Sequence, residues 1–119
     1  MKKILITGAS GFIGRSLCKT LSTSGRFFRG AVRSLDSFSK DTEANYVSIG
    51  DITTKTNWKG ALANIDCIIH CAGRAHVMNE TKKNELEIYR LTNVQGTKLL
   101  AQEAAKAGVK RLIFLSSIK

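Results

Sequence analysis

The sequence predicts an α/β fold, a doubly wound and mainly parallel sheet of about five strands, and three observations carry that prediction. Short apolar runs alternate with stretches of helical period along the 119 residues, and strands separated by helices join through right-handed crossovers into parallel sheets. The runs Cys67–Cys71 (Cys-Ile-Ile-His-Cys) and Arg111–Leu115 (Arg-Leu-Ile-Phe-Leu) are apolar at successive positions, the pattern of strands covered on both faces. A glycine-rich turn, Gly8–Gly14, joins the first strand to the first helix.

Taken in order, Lys2–Thr7 is a first strand rich in isoleucine and leucine. Ile13, Leu17 and Leu21 then recur at four-residue spacing and put one apolar stripe on a helix that stops near Gly25. Phe27–Arg33 reads as the second strand and Tyr46–Ile49 as a short third, while Ser34–Ala44 between them is polar and carries no assigned element. Asn57–Asn64 fits one or two helical turns around Trp58 and Leu62. The fourth strand is Cys67–Cys71. The longest helical stretch is Asn84–Ala107, with Leu86, Leu91, Val94, Leu100, Ala104 and Ala105 available for a buried face, and Gly108 ends it before the fifth strand, Arg111–Leu115. The expected strand order is 3-2-1-4-5. No repeat, linker or low-complexity segment interrupts the pattern.

Composition narrows the function. The length is that of one domain or less, and 43% apolar with 24% charged residues is a globular balance that argues against disorder. No run approaches the roughly eighteen apolar residues of a membrane span, and the apolar stretch after Met1-Lys2-Lys3 is too short for a signal peptide. Cys18, Cys67 and Cys71 are odd in number and unpaired in spacing, which predicts reduced, mostly buried thiols in a cytoplasmic protein. With His70 and His76 they lack the spacing of a metal site, and no metal is expected. The net charge of +10 is lopsided: Lys2, Lys3, Arg15, Lys19, Arg26, Arg29 and Arg33 stand in residues 1–35 without one acid. Such a charge suits polyanions, yet no strip of aromatic and basic residues for stacking on bases accompanies it, and nucleic acid is not the expected partner.

Gly8-Ala9-Ser10-Gly11-Phe12-Ile13-Gly14 reads G-x-x-G-x-x-G between a strand and a helix. Small residues here let the chain turn sharply, let the backbone approach a pyrophosphate and let the helix pack on the strand. The helix N-terminus adds free N–H groups and the positive end of its dipole. Gly8, Ser10, Gly11, Phe12, Ile13 and Gly14 are therefore candidate dinucleotide-binding residues. The first third's bases are expected to surround that pyrophosphate, with Arg33 the one that bears on cofactor choice.

With Thr7 before it, this stretch resembles the fingerprint of the extended short-chain dehydrogenase/reductases, the family of the NAD-dependent nucleotide-sugar epimerases and dehydratases of the UDP-glucose 4-epimerase type. The resemblance runs through the whole chain and implies a Rossmann-like sheet. Gly50-Asp51-Ile52 is similar to the family's acid-plus-aliphatic pair, which implies that Asp51 bonds the adenine amino group beside Ile52. His70-Cys71-Ala72-Gly73 resembles the segment that lies against the cofactor, implying contacts from Cys71, Ala72, Gly73 and the following Arg74. Asn93-Val94-Gln95-Gly96-Thr97 is similar to the family's helix stretch, in which Asn93 would bridge the long helix to the fourth strand near the cofactor. Phe114-Leu115-Ser116-Ser117 resembles the strand end that delivers the catalytic serine, aligned with Ser117 and one place off with Ser116.

The cofactor implied is NAD or NADP. The second strand ends Val32-Arg33 with no acid before Asp36. A guanidinium there can pair with a 2′-phosphate, so NADP(H) is expected to bind at least as well as NAD(H). The family's chemistry is transient hydride transfer, with a Tyr-x-x-x-Lys pair as the base. Neither Tyr46 nor Tyr89 has a lysine four residues on. The chain thus reads as residues 1–119 of an incomplete NAD(P)-binding domain, cut after strand five and without the lobe that takes the nucleotide sugar. Cofactor binding without turnover is expected. Strand five, lacking a covering helix, predicts self-association or a homodimer. Two alternatives stay open: an NADPH-dependent ketone reductase resembling dihydroflavonol 4-reductase, and a non-catalytic dinucleotide sensor.

Overall fold

The computed structural model describes residues 2–36, 38, 45–71 and 83–115, and on the long helix the side chains of Glu87 and of Asn93 onward. Five parallel strands form one sheet in the order β3-β2-β1-β4-β5. They are β1 (Ile4–Thr7), β2 (Phe28–Val32), β3 (Tyr46–Ser48), β4 (Cys67–His70) and β5 (Arg111–Phe114). The helices are α1 (Phe12–Thr23), α2 (Lys59–Leu62) and α3 (Lys83–Lys106). Fold class, strand order and element order are those the sequence predicts, and the strands are shorter than expected by one residue or two at an end.

Strand alternation divides the core between two faces. Leu5, Ala31 and Ile68 point to the side of α2 and α3, where they bury Trp58, Ala61, Leu62, Ile65, Leu100 and Ala104. Ile6, Phe28 and Val32 point to the other side, against Ala9 and Cys18 of the turn and α1. Tyr46 closes that side at the sheet edge. Its ring lies over Gly30, where a Cβ would come within 2.5 Å of it, and it meets Phe28 edge-on at 6.0 Å between ring centres.

Both long helices stop in the same way. After α1, Arg26 N–H bonds Leu21 C=O (3.0 Å) and Gly25 N–H bonds Ser22 C=O (3.1 Å). After α3, Val109 N–H bonds Ala104 C=O (3.0 Å) and Gly108 N–H bonds Ala105 C=O (3.2 Å). Each is a Schellman motif, which requires a left-handed residue at its turn, and Gly25 (φ 71°) and Gly108 (φ 82°) supply it.

Two expectations about faces need correction, those for α1 and α3. The buried stripe of α1 runs through Gly14 and Cys18 with Leu17 and Leu21 beside them, and Ile13 is 53% exposed. On α3, Leu100 and Ala104 are buried as expected, whereas Val94 and Ala105 face water. Leu86 and Leu91 lie outside the described side chains. Strand β5, expected to lack a covering helix, is exposed at Ile113 and Phe114 and at Leu115 just past it. Of the cysteines, all free, only Cys18 is fully buried, while Cys67 and Cys71 are half-buried.

Candidate functional site

A groove of about 830 Å³ opens at the C-terminal ends of β1, β2 and β3. It lies beside the point where the strand order reverses, where open α/β sheets bind ligands. The turn between β1 and α1 forms its floor. Gly14 is set so close to the strand that a Cβ there would stand 2.1 Å from the Gly8 carbonyl oxygen, so only glycine permits this crossing of helix and strand. Gly11 N–H bonds Gly8 C=O (3.0 Å) and Arg15 N–H bonds Gly11 C=O (2.9 Å). Among the described residues, the N–H groups of Phe12, Ile13 and Gly14 have no backbone acceptor, as in any first helical turn, and all three residues line the groove. Phe12 is 86% exposed, an apolar surface held open beside these donors.

Gly8, Ser10, Gly11, Phe12, Ile13 and Gly14 from the turn, Arg33 from the end of β2, Asp51 and Ile52 beyond β3, Cys71 after β4 and Asn93 from α3 all line this one groove. Ala72, Gly73, Arg74 and Ser117 lie outside the described residues, as does His76. The sequence reading missed Ala31, Val32, Ser34, Ile49, Gly50 and Thr53, which line the same groove. Their signal was position alone: each stands at or just past the carboxyl end of β2 or β3.

The groove's charge differs from the expectation. Among the described residues lining it, Arg33 and Asp51 are the only charged ones, and they pair with each other, Nε to Oδ1 at 2.8 Å. The other six bases of the first third do not line it. Arg29, near the start of β2 and away from the groove, donates to the carbonyls of Gly60 (3.3 Å), Ala61 (2.8 Å) and Ala63 (2.8 Å), closing the end of α2.

Beneath the groove runs a buried polar thread. Thr7 and His70 are register partners on β1 and β4. The Cys71 N–H donates to Thr7 Oγ1 (3.0 Å), and the same hydroxyl meets His70 Nδ1 at 2.6 Å. The other ring nitrogen, Nε2, faces Thr97 Oγ1 on α3 at 3.3 Å. Burial holds the pKa of His70 below its ordinary value, consistent with a neutral imidazole. Burial raises that of the Cys71 thiol, which therefore stays protonated beside the groove. Thr97 makes the described hydrogen bond from α3 to β4. Thr7 and Thr97 were not expected as partners of His70, because only the strand register brings them together.

Residues 4–119 match the model of a family described as the NAD dependent epimerase/dehydratase family. The chain is 41% identical over 119 residues to a UDP-glucose 4-epimerase of Vibrio cholerae, across 99% of this chain and 35% of that protein. Among solved structures it is similar to MoeE5 in complex with UDP-glucose and NAD (TM-score 0.73, 28% identity, covering 98% of this chain and 36% of that one). It is also similar to Gre2 of Candida albicans in complex with NADPH (TM-score 0.74, 25% identity, 98% and 37% covered). The chain thus spans about a third of the length of the relatives it matches.

Proposed function

Because the chain belongs to the NAD dependent epimerase/dehydratase family, we propose that it is the cofactor-binding part of a nucleotide-sugar epimerase or dehydratase. Residues 1–119 are then an incomplete NAD(P)-binding domain, and the groove at the ends of β1–β3 takes NAD(H) or NADP(H). One observation carries the reading: Gly14 locked against the Gly8 carbonyl aims three unpartnered N–H groups into a groove with an exposed apolar wall. This is a fit for a pyrophosphate with a flat base beside it.

In this reading the N–H groups of Phe12, Ile13 and Gly14 hold the pyrophosphate, with Gly8, Ser10 and Gly11 shaping the turn. Asp51 and Ile52 take the adenine, Arg33 stands at its ribose, and Cys71, Ala72, Gly73, Arg74 and Asn93 flank the nicotinamide half. The nicotinamide, when bound, accepts and returns a hydride. Ser117 orients the substrate hydroxyl, and the Tyr-x-x-x-Lys base and the sugar-binding lobe belong to further chain. The nucleotide sugar is the substrate class supported by the UDP-glucose 4-epimerase relative and by the UDP-glucose held in MoeE5. An NADPH-dependent reductase is the second reading, favoured by Arg33 at the groove and by the NADPH held in Gre2. The exposed edge strand β5 is the proposed surface of self-association, and the free cysteines support a cytoplasmic location. No described helix is long and apolar enough to cross a membrane.

Titrating the 119-residue chain with NADH and NADPH, followed by nicotinamide fluorescence, tests the reading. Saturable one-site binding without epimerisation of UDP-glucose is the expected result. Absence of saturable binding by either dinucleotide sinks it.

A further inference from the structure

The Arg33–Asp51 pair stands at the groove rim with side chains 72% and 68% exposed. An ion pair so open to water adds almost nothing to the stability of a fold. The main chain beneath it is nonetheless held from both sides. The Arg33 carbonyl receives the Ser48 hydroxyl (2.9 Å) and the Gly50 N–H (3.2 Å), which lace the end of β2 to the end of β3. The Asp51 carbonyl receives the Thr56 hydroxyl (2.9 Å), and the same hydroxyl oxygen accepts the Thr53 N–H (2.7 Å). The backbone thus brings the two residues to one rim, where their side chains meet, and they are the only charges among the described lining residues.

Counting Arg33 alone favours a 2′-phosphate. Counting the pair does not. A 2′-phosphate reaching for the guanidinium has to displace the Asp51 carboxylate from it. A 2′-hydroxyl brings no charge and leaves the pair intact. Resting on the dinucleotide reading above, we propose that Asp51 sets the groove's discrimination between NAD(H) and NADP(H), by holding Arg33 in a neutral pair. The intact pair favours the 2′-hydroxyl form, and neutralising Asp51 releases Arg33 for the 2′-phosphate. Asp51 acts here through Arg33, as a positioning residue.

The test compares the wild-type chain with Asp51→Asn, Arg33→Ala and the double variant, measuring NADH and NADPH dissociation constants and competition by 2′-AMP against 5′-AMP. Because both side chains are exposed, the variants keep the wild-type urea midpoint. Asp51→Asn is expected to shift the affinity ratio at least about tenfold towards NADPH and to favour 2′-AMP in the same sense. It also steepens the salt dependence of NADPH binding, as a freed cation would. In the Arg33→Ala background the same substitution moves the ratio less than twofold. A ratio unmoved by Asp51→Asn, or moved equally without Arg33, overturns the proposal and leaves the dinucleotide reading standing. Failure of the wild-type chain to bind either dinucleotide overturns both.

Discussion

Gly14 carries two demands that pull in opposite directions. Inside a helix, alanine is better than glycine by up to about 1 kcal/mol. Here the added Cβ would meet the Gly8 carbonyl oxygen at 2.1 Å and its carbon at 2.8 Å, both backbone atoms that cannot swing aside. Overpacking of this kind costs about 1–3 kcal/mol and more where backbone must move, so the clash outweighs the propensity. Gly14→Ala is expected to lower stability by about 2 kcal/mol and to weaken NADH binding more than tenfold. Urea titration followed by the single tryptophan, the buried Trp58, measures the first, and the fluorescence titration the second. The spacing of Gly8, Gly11 and Gly14 was legible in the sequence because a tight crossing admits one residue type. Arg29 and Arg33 were not distinguishable in the same way. They are equal charges four residues apart, on the same face of the strand by its alternation, and only their places along it, near the start of β2 beside α2 or just past its carboxyl end, separate a helix clasp from a groove residue.

Element identities were legible because each has a local cause: apolar runs for the strands, glycine at the turn of each Schellman motif. Which side of α3 is buried was not, since Val94 and Leu100 are equally apolar and only the docked sheet decides between them. The same limit applies to β5. Its apolar pattern suits a strand covered on both faces, but the sequence gives it no covering helix, and Ile113 is 38% and Leu115 40% exposed, on the face opposite Leu112 and Phe114. Exposed apolar residues on an edge strand template contacts with another chain. Sedimentation of the 119-residue chain is expected to give a mass that rises with concentration. Lysine at both positions, Ile113→Lys with Leu115→Lys, is expected to return it to a monomer. A wild-type chain that stays monomeric at every concentration removes β5 as an association surface.

At the scale of the whole molecule, the Thr7–His70–Thr97 thread ties β1, β4 and α3 together and makes stability depend on pH. The folded chain holds His70 below its ordinary pKa of 6.5 because burial disfavours the imidazolium. In the unfolded chain the ring takes up a proton as pH falls through about 6.5, and the folded chain resists it. The stabilisation from a neutral ring is therefore complete above that pH and is lost progressively below it, towards the folded-state value. Urea midpoints are expected to fall between pH 7.5 and pH 5, with a shallower fall in His70→Gln, which cannot take up the proton. Equal slopes in the two proteins count against this. The surface charge has a different consequence, one for handling the protein at the bench. Six of the seven bases in residues 1–35 lie away from the groove, and the seventh is matched by Asp51, so the charge of the first third belongs to surface outside the groove. Retention on a cation exchanger or on heparin reports that outer charge, and elution by dinucleotide from such a column is not a measure of cofactor affinity.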